Sequence, residues 1–149
     1  MVDMDDSRGG RSKRVGGLDI QERTFRFAVR IIMLVGKPPR TVAGIEVGRQ
    51  LVRAGMSVGS NMQEADEALS KKDFIKHVRI ARKVARESGY WLRLIAATEL
   101  LDDPEVGALT EEAGELVRIL SGIAASATKA RSAGIAAFVI GSLAIASFA

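Results

Sequence analysis

The chain has 149 residues, with 22 Lys and Arg against 18 Asp and Glu, a single histidine and no cysteine. That length is one domain's worth and can bury a core without a staple; the missing cysteine excludes a disulfide framework, a thiolate metal cage and a cysteine nucleophile. A formal charge of +4 raises the expectation of an acidic partner only slightly, and 5% aromatics is thin for a β-sandwich or a base-stacking surface.

Residues 1–17 mix both charges with four glycines and have no apolar segment, so they read as a disordered arm rather than a signal peptide, and a cytoplasmic location is expected. The arm's Arg8, Arg11, Lys13 and Arg14 could touch a polyanion or simply keep the chain soluble. A first helix is predicted over 19–35, opened by Asp19 with Glu22 three residues on, the spacing of a reciprocal cap. Phe25, Ala28, Ile32 and Val35 fall on one face of it, with Phe27, Ile31 and Leu34 beside them. Pro38 and Pro39 stop it.

Thr41 caps a second helix over 42–68, whose apolar column is Val47, Leu51, Ala54, Val58 and Ala65. Glycines 44, 48, 55 and 59 lie within it, each costing up to about 1 kcal/mol against alanine, so a neighbouring helix is expected to pack closely there. Ser70, with Asp73 three residues later, opens a third helix over 71–101. Asp102, Asp103 and Pro104 stop that helix and start a fourth over 104–131, since proline is tolerated in a first turn. Four long amphipathic segments with short connections predict an all-α, antiparallel, up-down four-helix bundle.

Residues 132–149 carry no charge and just reach the length of a membrane crossing. An apolar C-terminal tail of this kind suits a tail anchor, an extension of the fourth helix packed in an oligomer, or a segment buried between protomers.

Catalytic chemistry is hard to find. With one histidine, His77, there is no Glu-x-x-His pair for a di-iron bundle and no phosphate loop, so no metal and no cofactor are expected. Asp73 and His77 are four apart and can touch, but the pair suits a boundary contact better than a catalytic dyad. The chain therefore reads as non-enzymatic.

The third helix carries more. Lys72, Lys76, Arg79, Lys83, Arg86 and Arg93 are spaced four, three, four, three and seven, forming one basic stripe opposite Phe74, Val78, Ala81, Ala85, Leu92 and Ile95. One reading pairs this stripe with the acids of helix four, Asp102, Asp103, Glu105, Glu111, Glu112 and Glu115. The other presents it to the phosphates of RNA or DNA, with affinity falling steeply in salt. On helix two, Ser57, Asn61 and Glu64 share a face and are mediocre helix formers; with Glu87 of helix three they are expected to form a structural polar network.

Two blocks also resemble a known family. QLVRAGMSVGSNMQEAD (50–66), through Gln50, Leu51, Ser57, Val58, Asn61, Met62 and Glu64, and SKKDFIKHVRIARKVARESGYWL (70–92), through Ser70, Asp73, Phe74, Ile80, Ala81 and Glu87, are similar to the 23S rRNA-intervening-sequence proteins. Ala65 stands where that family usually has glycine. The resemblance implies an antiparallel bundle assembled as a ring-like homo-oligomer, a pentamer, without established enzymatic activity. A similar bundle is the accessory variability determinant of diversity-generating retroelements, a basic pentamer that binds a reverse transcriptase and nucleic acid; that likeness points to Lys76, Arg79, Lys83 and Arg86 for RNA or DNA contact. The alternative is a structural or partner-binding bundle, possible as a reverse-transcriptase accessory or tethered to a membrane by 132–149, with no nucleic acid.

Overall fold

In a computed structural model the backbone is described for residues 19–146 and the side chains for residues 19–130. The arm expected over 1–17 and the side chains of the 132–149 tail lie outside the described residues. Four helices follow in order: α1 (Ile20–Val35), α2 (Val42–Asp66), α3 (Lys71–Ala97) and α4 (Pro104–Ala146).

The helix starts are set by short polar side chains that satisfy otherwise orphaned amides. Asp19 accepts from the Gln21 amide at 3.3 Å, Thr41 from Gly44 at 3.1 Å, Ser70 from Asp73 at 3.1 Å, and Asp103 from Glu105 at 2.8 Å. Glu22, expected to reach back toward the first cap, forms an ion pair with Arg26 one turn on. The third helix ends at Ala97, four residues before the expected Leu101. There Glu99 adopts a left-handed φ of 51°, and the Leu100 amide reaches back to the Ile95 carbonyl at 3.1 Å. The Thr98 hydroxyl donates to the Leu94 carbonyl at 2.7 Å and closes the turn. The second helix likewise ends at Asp66, two residues short of the expected 68.

Each helix packs against its chain neighbours, and α1 closes the bundle against α4. Registers are antiparallel throughout: Ile31 lies against Gly55 and Val35 against Gly48, Asn61 meets His77, and Gly89 faces Ala113. Two glycines of α2 sit where a Cβ would not fit, while Gly48 and Gly59 lie against α1 at ordinary van der Waals distance. A Cβ at Gly55 would overlap the Ile31 side chain, and one at Gly44 would overlap the Pro39 carbonyl of the turn before it.

The core is filled by Phe27, Ile31 and Leu34 of α1, Leu51, Val58 and Met62 of α2, Val78 and Leu92 of α3, and Leu109, Leu116 and Leu120 of α4, each at most 2% exposed. Burying one such side chain contributes about 1.5–3 kcal/mol. Helix one has two adjacent apolar sets and buries one of them. Phe25 and Ile32 are 61% and 49% exposed, while the set Phe27, Ile31 and Leu34 takes the core. Both sets satisfy helical spacing; contact with the glycine face of α2 selects the second, because only it places Ile31 opposite Gly55.

At 1.5 Å per residue the 43 residues of α4 extend about 65 Å, far beyond the 16 residues of α1. Among the described residues no helix is long and apolar enough to cross a membrane.

Candidate nucleic-acid interface

The bundle seats α3 with Val78, Ala81, Ala85, Leu92 and Ile95 inward, which turns Lys72, Lys76, Arg79, Lys83, Arg86 and Arg93 outward; all six are exposed. Lys76 lies 3.6 Å from Asp73 on its own helix. Among the described residues the other five form no ion pair.

Three of the acids expected to neutralise this stripe pair with α1 and the turn after it instead. Glu112 takes both nitrogens of Arg23 in a forked pair at 2.6 and 2.9 Å, Glu105 takes Arg30 at 2.5 Å, and Asp103 takes Lys37 at 2.7 Å. Glu115 pairs with Arg118 on its own helix. These contacts leave their mark on titration. The hydrogen bond that it donates to Glu112 holds the Arg23 guanidinium above its usual value, and the one donated to Glu105 does the same for Arg30. Lys37, aided by the Glu105 amide, holds Asp103 below the usual carboxylate range, and Arg118 does so for Glu115. Helix one, not helix three, is therefore the electrostatic partner of α4.

One contributor is not evident from composition. Tyr90 is 57% exposed and sits on the stripe, four residues beyond Arg86 and three before Arg93. It meets the Trp91 ring edge-on at a centroid distance of 5.0 Å. Its sequence signal is the seven-residue spacing from Lys83, which puts it in line with the cations. An exposed ring among cations is what stacks an unpaired base.

The polar residues between α2 and α3 form a smaller group than expected. The Asn61 amide donates to the Ser57 carbonyl at 2.9 Å and hydroxyl at 3.1 Å, and its carbonyl oxygen lies 3.3 Å from His77 Nδ1. His77 Nε2 lies 3.6 Å from Asp73 Oδ1. The sequence's acid–histidine pair is thus part of a tie between helices. Glu64 and Glu87 stand outside it: Glu64 is exposed, and Glu87 is half-buried ten residues, about 15 Å of helix rise, from His77. Among the described residues no group of three or more His, Asp or Glu side chains could hold a metal ion.

Among the described residues this is an up-down helical bundle whose α3 presents a basic face largely without carboxylate partners. Residues 17–122 match the 23S rRNA-intervening sequence protein family, and the chain belongs to that family. A similar solved structure is a protein of unknown function from the S23 ribosomal protein family of Bacteroides thetaiotaomicron. It is 31% identical, with a TM-score of 0.64, and the match covers 70% of this chain and 97% of that one. No curated protein matches.

Proposed function

We propose that this chain is a non-enzymatic scaffold that assembles with copies of itself and binds RNA or DNA without sequence preference through the outer face of α3. The observation that carries this reading is that, among the described residues, five of the six stripe cations have no carboxylate partner, while Glu105 and Glu112 of α4 are engaged by α1. Uncompensated cations at helical spacing match a phosphate backbone in charge and reach, and repeating them around an assembly multiplies the effect. Tyr90 adds a stacking surface for single strands.

Self-association is supported by an apolar strip over the α1–α2 seam: Phe25 and Ile32 on one helix, Ile45 and Met56 on the other, all about half exposed or more. The family likeness favours a pentameric ring. The same strip also supports the second reading, a bundle that docks a protein partner, such as a reverse transcriptase, or is tethered to a membrane by 132–149, and binds no nucleic acid. Salt titration of a 30-nucleotide single strand separates the two. Six phosphate contacts predict a slope of log K against log salt of about −4, whereas no binding at low salt would leave only the partner-docking bundle. Sedimentation tests assembly: Phe25→Asp with Ile32→Asp should reduce the oligomer to monomer without loss of helix.

A further inference from the structure

The basic stripe is flanked by a feature the sequence did not indicate. Where α4 runs on past the start of α1, its described residues pack against α3, and the two helices leave a cleft of about 490 Å³. Its α4 side is built of small residues at helical spacing, Ser121, Ala124, Ala125 and Thr128. Its rim holds three cations: Arg79 and Arg82 from successive turns of α3, and Lys129 from α4. Among the described residues no carboxylate lines it, and none of the three cations forms an ion pair. A second cleft, farther back along α4, is of mixed sign, with Glu111, Glu112 and Glu115 beside Arg30 and Arg118 in its lining.

We infer that the α3–α4 cleft is a phosphate-binding site, taking a terminal or free phosphate group between Arg79 and Arg82 on one side and Lys129 on the other. Arg79 and Arg82 are three residues apart, so their side chains rise side by side. Lys129 faces them across one helix-packing distance, roughly 8–10 Å. A tetrahedral dianion offers oxygens to both walls at once, and guanidinium forks suit its geometry. The hydroxyls do not compete for this role. Ser121 already donates to the Val117 carbonyl at 2.7 Å and Thr128 to that of Ala124 at 2.8 Å, so the donors facing the cleft are its cations. The alanines supply the room: a larger side chain at 124 or 125 would fill the space between the helices. Since Arg79 also belongs to the α3 stripe, a strand lying along that stripe can place its end phosphate in the cleft. That extension rests on the nucleic-acid reading; the phosphate site itself does not.

The test uses the full chain and two probes. Sodium tripolyphosphate reports free phosphate chemistry, and a 12-nucleotide RNA with either a 5′-phosphate or a 5′-hydroxyl reports the strand end. Three proteins are compared: wild type, Arg82→Gln with Lys129→Gln, and Arg40→Gln with Arg53→Gln, which removes the same charge from exposed positions away from the cleft. Tripolyphosphate should bind wild type and the Arg40/Arg53 variant alike, and at least tenfold more weakly to the Arg82/Lys129 variant. The 5′-phosphate should tighten RNA binding by about fivefold in wild type, a gain the Arg82/Lys129 variant loses. Equal weakening of tripolyphosphate binding in both variants would overturn the site in favour of diffuse charge. RNA that binds regardless of its 5′ end would overturn the strand-end role while leaving the stripe intact. Tripolyphosphate bound in the cleft by a protein that binds neither RNA would support the site and sink the nucleic-acid reading.

Discussion

Helices one and three both carry cations on a seven-residue repeat, yet the bundle uses them in opposite ways. Arg23 and Arg30 of α1, and Lys37 just beyond it, lie along the α1–α4 seam and meet Glu112, Glu105 and the capping Asp103. Arg79, Arg86 and Arg93 lie along the outside of α3 and, among the described residues, meet no carboxylate. Spacing alone cannot separate the two rows. What separates them is the element opposite: α4 turns its acids toward α1, and the antiparallel register sets 23 against 112 and 30 against 105. The paired row ties α1 to α4, and the unpaired row is the one we propose as a binding surface.

The comparison can be broken from the α1 side first. Replacing Arg23 and Arg30 together by alanine should cost roughly 2 kcal/mol in denaturant unfolding, about 1 kcal/mol for each partly buried pair. Nucleic-acid affinity should stay within twofold of wild type. A loss of affinity as large as the loss of stability would mean that the rows are not separate.

Tyr90→Ala sharpens the other side. It should weaken single-strand binding by about 1 kcal/mol, roughly fivefold, through lost stacking. The ring is more than half exposed, so the unfolding free energy should move by less than about 0.5 kcal/mol.

Acid should also act on one row only. Asp103 and Glu115 have folded-state values below those of the unfolded chain, so their stabilisation is complete above the unfolded values and is lost as pH falls through the folded ones. Thermal stability should therefore decline below about pH 4, and the decline should shrink in Lys37→Ala, which removes the partner of Asp103. The lysines and arginines of α3 stay charged throughout that window.

The smallest change touches neither row. Glu99→Gly relieves a left-handed residue at the end of α3 and should add about 0.5–1 kcal/mol of stability, with binding unchanged.

These contrasts also mark what the sequence could reveal. Thr41, Ser70 and Asp103 are visible as caps because a short polar side chain before an apolar period has one inexpensive use, and all three accept a first-turn amide. The family motifs around Asn61 and Phe74 were legible for the same local reason. The core face of α1 was not. Phe25 and Ile32 fit a helical period as well as Phe27 and Ile31 do, and the choice depends on Gly55, which lies in another helix. The end of α3 was hidden because glutamate is a poor guide to a left-handed cap. The partner of the α4 acids, the isolation of Glu64 and Glu87, and the cleft at Arg82 and Lys129 depend on register between helices, which no single helix encodes.

The account turns on the claim that the outer face of α3 is a binding surface rather than a solvated one. Equilibrium binding of a 30-nucleotide single strand at low salt tests it most directly, comparing wild type with Lys76→Glu, Arg79→Glu, Lys83→Glu and Arg86→Glu combined. The account predicts tight, salt-sensitive binding by wild type and at least a hundredfold loss in the variant, with helical circular dichroism unchanged. Equal binding by the two folded proteins, or none by wild type, would contradict it.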